Sequence, residues 1–202
     1  MNDEPYSGIA EYFDAKVDTH GHSRESCGWG SEESQIKRFQ VLCDVMPLHG
    51  KSILDIGCGP GYFADFLDAN DIRARYTGYD ISTAMVEVAC KRRPELDIRY
   101  GNVLTVFPRP CADVVIASGA LFLLGEEPQK WFECLVRGFF ECAEKALAFN
   151  CLSAWGNSFE QGEFYPDPLA ALEFCRTLSP WVALRHDYHP QDFTIYLYKQ
   201  KN

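Results

Sequence analysis

Long apolar runs are missing from this 202-residue sequence, and none approaches the length needed to cross a membrane. The first residues, MNDEPYSGIAEYF, are acidic and lack the apolar core of a secretory signal, which favours a cytoplasmic protein. CxxC pairs are also missing, although nine cysteines are present, an odd number that lies mostly inside apolar segments. This usage is typical of reduced thiols packed as small hydrophobic residues.

Basic residues are scarce, because 19 Lys and Arg face 29 Asp and Glu and the formal net charge is −10. An acidic surface repels phosphate backbones, so the composition argues against nucleic acid as a partner. The one dense basic run, Lys91–Arg93, is explained equally well by the C-terminus of a helix. No metal is predicted, since the histidine pairs HGH and HDYH lack acids in register.

Strands and helices alternate along most of the chain. Apolar runs predict strands at 51–57, 73–80, 96–102, 111–119, 146–153, 181–188 and 192–199. Periodicity and capping residues predict helices at 6–16, 32–46, 61–70, 82–93, 127–145 and 166–178. In the second helix the apolar positions fit helical spacing only loosely; they are Ile36, Phe39, Val41, Leu42, Val45 and Met46.

This alternation predicts an α/β fold with a doubly wound, seven-stranded and mostly parallel sheet. The short turn around His189 and Pro190 makes the last two strands a hairpin, so strand 7 is antiparallel and the predicted order is 3-2-1-4-5-7-6. We expect residues 1–47 to form an N-terminal helical extension or lid, and residues 48–202 to form one globular domain.

A glycine-rich loop, Leu54–Phe63, follows the first strand and opens a helix. Its spacing is GxGxG, whereas a dinucleotide-binding loop has GxGxxG, so the loop suits a ligand without a pyrophosphate. Asp80 lies 19 residues after Gly61, at the end of the next strand. A carboxylate at that position can accept hydrogen bonds from the two hydroxyls of a ribose.

Four segments in order, LDIGCGPG, YTGYDIS, YGNVL and ADVVIASGAL, resemble the consecutive motifs of class I S-adenosylmethionine-dependent methyltransferases. The resemblance covers residues 50–125 closely and implies a Rossmann-like fold that binds S-adenosylmethionine. It implies cofactor contacts from the strand-end acid Asp55, the loop glycines Gly57, Gly59 and Gly61, the ribose-binding Asp80, the adenine-side residues Ile81, Asn102 and Val103, and Ser118 at the reaction site. Many relatives have Asp at the position of Asn102, which is a mild departure.

The methyl acceptor is expected outside the carboxyl ends of strands 4 and 5. Candidate catalytic residues are His20, Asn150, His186 and His189, and candidate substrate contacts are Trp29, Ser153 and Tyr165. The residue types of the HDYHP segment are explained equally well by a turn as by a catalytic base. Trp29 could contact the sulfonium or the substrate through its ring, or it could only pack the extension onto the sheet. The segments around 20–39, 148–153 and 184–199 also resemble small bacterial methyltransferase-like proteins of unassigned substrate. This resemblance implies that the three segments form the acceptor side, and it does not identify the substrate.

The sequence therefore predicts a methyltransferase that acts on a small molecule, as a monomer or homodimer, with no nucleic acid or membrane partner. Two alternatives stay open. The same fold can cleave or cyclise S-adenosylmethionine, because its sulfonium is a good leaving group, or it can bind the cofactor without catalysis.

Overall fold

A seven-stranded sheet organises the chain, and the computed structural model describes residues 6–20, 31–102 and 111–201. The predicted strand order, 3-2-1-4-5-7-6, is confirmed. Strands 1 to 5 pair in parallel, and β7 pairs antiparallel with both β5 and β6. The strands are β1 (Ser52–Ile56), β2 (Arg75–Asp80), β3 (Asp97–Tyr100), β4 (Ala112–Ala117), β5 (Ala143–Leu152), β6 (Val182–Arg185) and β7 (Asp192–Tyr198).

The helices follow the predicted alternation, and several begin at residues that cap them. Ser31 and Ser82 each accept a hydrogen bond from the backbone N–H three residues on, and Asp167 accepts from Leu169 and Ala170. The described helices are α1 (Tyr6–His20), α2 (Glu32–Cys43), α3 (Tyr62–Ala69), α4 (Thr83–Arg92), α5 (Pro128–Cys142) and α6 (Pro168–Leu178).

The predicted helix 127–145 is wrong at its end, because the chain becomes strand at Ala143. Ala143 pairs with Ala112 of β4, and the Lys145 ammonium lies 2.7 Å from the Asp113 carboxylate. Ala, Glu and Lys all favour helices locally, so pairing with β4 has overridden propensity here.

Apolar layers cover both faces of the sheet, as a parallel sheet requires. One layer contains Phe132 and Phe139 of α5, and the other contains Phe39 of α2 and Phe63 of α3. Successive residues of β1 divide between the layers, as expected for a strand, and Leu54 and Ile53 join different clusters. Within the residues described, no helix is both long and apolar enough to span a bilayer.

Candidate cofactor and acceptor site

The glycine loop turns sharply where β1 ends. Gly57, Gly59 and Gly61 all have positive φ values, of 73°, 50° and 86°. The N–H groups of Gly57 and Cys58 both donate to the Tyr79 carbonyl, at 2.8 and 3.1 Å, which ties the loop to the end of β2. A Cβ atom at Gly57 would lie 3.0 Å from the Ala120 Cβ, so a side chain there would be crowded and Ala120 would have to move.

We expect Gly57→Ala to weaken cofactor binding at least tenfold and to destabilise the fold by about 1–2 kcal/mol, the cost of a left-handed non-glycine residue. The matched control is Gly50→Ala, because Gly50 has a φ of 76° and nothing within 4 Å of its added Cβ. Calorimetric titration and thermal unfolding separate the two effects. Both variants lose stability, and equal cofactor affinities in the two would contradict the predicted crowding.

Asp80 is the buried acid at the end of β2, with 8% of its surface exposed. Its Oδ2 accepts from the Gly59 N–H at 2.8 Å, and its Oδ1 accepts from the Ser82 N–H at 2.9 Å. Burial raises the pKa of this carboxyl, and the backbone donors oppose that shift. An ionised carboxylate offers about four lone-pair sites, so Asp80 retains capacity for a ligand hydroxyl.

Asp55 is a second buried acid, 2% exposed, on β1 beside the same loop. The Tyr76 hydroxyl donates to its Oδ2 at 2.7 Å. Burial raises the pKa of Asp55 to about 7, while the hydrogen bond from Tyr76 opposes the shift and the Asp80 carboxylate adds to it. A bound cation would favour the ionised form of this group.

A cavity of about 1000 Å³, which includes space open to solvent, lies over this edge of the sheet. Six of the nine residues predicted to contact the cofactor line it: Asp55, Gly57, Gly59, Asp80, Ile81 and Ser118. Gly61 instead precedes the first turn of α3, and its N–H donates to the Cys58 carbonyl at 3.0 Å. Gly101 lines the cavity in place of its neighbour Asn102, and Val103 lies outside the described residues.

Helix α1 closes one side of the cavity with Ile9 and Phe13. The Phe13 and Phe122 rings meet edge to face, with centroids 6.1 Å apart. The Ser82 hydroxyl donates to the Asp14 carboxylate at 2.5 Å, which fastens α1 to the N-terminus of α4. These contacts hold α1 beside Asp80 and Ile81.

Asn150 lies next to the cavity-lining residues Ser118 and Gly119, and it is buried, with 3% of its surface exposed. Its amide oxygen accepts from the Gly119 N–H at 2.9 Å, and its amide nitrogen donates to the Ser118 hydroxyl at 3.1 Å. Both polar atoms of the side chain therefore shape the loop after β4. This arrangement favours a positioning role over the predicted catalytic one.

His186 and His189 lie at the turn between β6 and β7, and neither is among the described residues that line the cavity. His186 Nε2 and the Ser153 hydroxyl are 2.7 Å apart, and His189 Nδ1 lies 2.9 Å from the carboxylate of Asp192. A network of this kind fastens the hairpin turn to the segment after β5. The geometry gives the predicted catalytic role of the two histidines no support.

Two of the three predicted substrate contacts, Ser153 and Tyr165, are not among the described residues that line the cavity. Ser153 is fully buried and accepts from the Trp155 N–H at 3.1 Å, and the Tyr165 hydroxyl accepts from the Glu160 N–H at 2.9 Å. Trp29 and the side chain of His20 lie outside the part of the chain that the structure describes. The same part contains no group of three or more His, Cys, Asp or Glu side chains that could hold a metal ion.

Sequence reasoning missed Gln35 and Phe39 of α2, and Leu135 and Phe139 of α5, as cavity residues. The apolar spacing around Phe39 carries no signal for a cavity. Gln35 lies four residues before Phe39 and so shares its helix face, which indicates that the two residues point the same way but does not indicate what they face.

Comparison with known proteins agrees with this geometry. Residues 53–138 match the family model described as a methyltransferase domain. A Mycobacterium tuberculosis (strain H37Rv) protein, provisionally named as a methyltransferase, is 32% identical over 158 residues, which are 73% of this chain and 93% of that protein. Trans-aconitate 2-methyltransferase of Paracidovorax citrulli is 30% identical over 97 residues, which are 46% of this chain and 37% of that enzyme.

Among solved structures, the magnesium protoporphyrin IX methyltransferase of Synechocystis PCC 6803 with bound S-adenosylmethionine has a TM-score of 0.70 at 14% identity, over 98% of each chain. At that identity the likeness shows the fold. With the family match and the Mycobacterium relative, the chain belongs to the class I S-adenosylmethionine-dependent methyltransferases, as the motif resemblance implies.

The residues present fit that cofactor. The loop at Gly57 leaves backbone where a Cβ would collide, and two buried carboxylates face the cavity that a sulfonium cation would enter. When bound, the cofactor supplies an electrophilic methyl group on sulfur.

Proposed function

We propose that this protein transfers the methyl group of S-adenosylmethionine to a small molecule. The residues proposed to hold the cofactor are Asp55, Gly57, Gly59, Asp80 and Ile81. The observation that carries the proposal is the cavity itself, which α1, α2 and α5 border and which is lined mostly by apolar side chains. A mostly apolar recess with a few polar groups is typical of sites for small ligands. The floor beside Ser118 and Gly119 is the proposed position of the acceptor.

Charge supports a small acceptor over a nucleic acid. The Lys91–Arg93 run forms ion pairs with carboxylates: Arg92 Nη2 lies 2.7 Å from Asp65, and Arg93 contacts Asp65, Asp68 and Glu95. Lys91 pairs with Glu87 at 3.6 Å. Because acids already neutralise this run, it offers little attraction to a phosphate backbone.

The N-terminal segment supports a closed reaction site. We propose that residues 1–47 act as a lid, since Phe13 of α1 and Gln35 of α2 both line the cavity. A closed lid would help to hold the acceptor in line with the methyl group, and it would exclude water that could react with the sulfonium instead. The names of two similar enzymes, for trans-aconitate and for magnesium protoporphyrin IX, also denote small molecules.

The test is transfer of a labelled methyl group. We expect the protein, given S-adenosylmethionine labelled with ¹³C at the methyl group, to label a compound in a metabolite extract and to release S-adenosylhomocysteine. Purified RNA and denatured cell protein serve as competing acceptors, and Asp80→Ala, at a cofactor concentration below its weakened dissociation constant, serves as the control with reduced transfer. Label in RNA or protein would overturn the small-molecule assignment, and release of methylthioadenosine would indicate cleavage or cyclisation of the cofactor instead.

A further inference from the structure

Three helices each contribute two residues, four positions apart, to the cavity wall. Residues four apart share one face of a helix, so each pair points into the cavity together. The pairs are Ile9 and Phe13 of α1, Gln35 and Phe39 of α2, and Leu135 and Phe139 of α5. Five of these six side chains are apolar, and Gln35 is the exception.

The apolar pattern of α2 is inverted at this point. Gln35 is 2% exposed, whereas its neighbour Ile36 is 37% exposed. Ile36 is one of the apolar positions that fit helical spacing only loosely, and it lies on the exposed side of α2. A buried amide beside an exposed isoleucine breaks the usual apolar-inside pattern, and local departures of this kind are expected at functional positions.

We propose that Gln35 orients the methyl acceptor, and that the acceptor has an apolar body, aromatic or aliphatic, with a hydrogen-bonding group beside it. This rests on the proposed function. A primary amide donates and accepts, so it can bind a hydroxyl, carbonyl or carboxylate group. Phe13, Phe39 and Phe122 provide the apolar surface around it.

Cofactor and acceptor then use different parts of one cavity. Asp55, Asp80 and the glycine loop lie at the ends of β1 and β2. Gln35 comes from the first turns of α2, whose Phe39 and Leu42 belong to the apolar cluster that covers one face of the sheet. A residue that selects the acceptor should thus leave cofactor affinity unchanged.

The test compares Gln35→Leu with Gln40→Leu, the same change at an exposed position of the same helix. With S-adenosylhomocysteine bound, ligand-observed NMR measures the dissociation constants of two probes of similar shape, benzyl alcohol and toluene. We expect Gln35→Leu to shift their ratio about tenfold toward toluene, the size of one lost hydrogen bond. Gln40→Leu leaves the ratio unchanged, and Gln35→Glu, which keeps an acceptor oxygen, retains part of the preference.

Affinity for S-adenosylmethionine is measured on the same variants. It should stay within about twofold of the parent protein in both leucine variants. An unchanged probe ratio in Gln35→Leu would overturn the proposal, and a large loss of cofactor affinity with that ratio unchanged would assign Gln35 to the cofactor instead. The labelled-methyl experiment tests the proposed function separately, because transfer of label to RNA or protein would contradict that function whatever the probe ratio.

Discussion

Asp80→Ala is expected to weaken S-adenosylmethionine binding by about 10- to 150-fold, or roughly 1.5–3 kcal/mol, the range for hydrogen bonds to a charged group. Two effects add. The ribose hydroxyls lose their proposed acceptor, and the N–H groups of Gly59 and Ser82 lose the carboxylate that now holds them at 2.8 and 2.9 Å. The glycine loop is therefore less ordered before the ligand arrives.

Isothermal titration of the variant with S-adenosylmethionine and with S-adenosylhomocysteine measures this loss. Both should weaken alike, because they share the ribose. The matched control is Asp97→Ala, which removes an aspartate from the neighbouring strand β3 where 43% of the side chain is exposed. An affinity equal to that of the parent protein in Asp80→Ala would mean that the ribose is held elsewhere.

The cofactor side of the site could be predicted because its determinants are local in sequence. A tight turn needs glycines at positive φ directly after β1, and Gly57, Gly59 and Gly61 meet that need within five residues. Asp80 ends the next parallel strand, and parallel strands bring their carboxyl ends to one edge. Chain geometry alone therefore places the acid beside the loop.

The acceptor side depends on contacts between distant segments, and local pattern does not specify these. Gln35 and Ile36 are adjacent, and the loose helical spacing of the apolar residues in α2 does not decide which of the two is buried. Packing of α2 against the sheet buries the glutamine and leaves the isoleucine exposed. His186 suggested a base by its type, yet the fold places it against Ser153. Side-chain chemistry in a sequence indicates what a residue can do, and tertiary contacts decide what it touches.

Asp55→Asn is expected to stabilise the ligand-free protein at pH 8 while it weakens cofactor binding. The folded-state pKa of Asp55, about 7, lies above the ordinary value of 3.8 because the group is buried. The contribution of such a group to the free energy of unfolding is fully present below the pKa of the unfolded state, 3.8. It is lost as the pH rises through the pKa of the folded state, about 7. At pH 8 the buried charge costs up to about 4 kcal/mol, from roughly three pKa units at 1.36 kcal/mol each.

The side-chain amide of the Asp55→Asn variant has no charge to bury. Its oxygen can still accept from the Tyr76 hydroxyl, which lies 2.7 Å from the Asp55 carboxylate in the parent protein. Thermal unfolding should therefore show a gain of several degrees at pH 8 that shrinks toward pH 5. Titration should show weaker binding of the cationic cofactor, without the fall in affinity below pH 7 expected of the parent protein.

Asp113→Asn is the control of opposite sign. The Lys145 ammonium, 2.7 Å away, holds the pKa of Asp113 well below its ordinary value, so the ionised form stabilises the fold at neutral pH. That variant should lose stability at pH 8 and keep its cofactor affinity, since Asp113 lies at the start of β4, away from the loop. A stability gain in Asp55→Asn that is equal at pH 5 and pH 8 would show that ionisation of Asp55 does not cause the gain. Ionisation of Asp55 would then also fail to explain a pH dependence of cofactor binding.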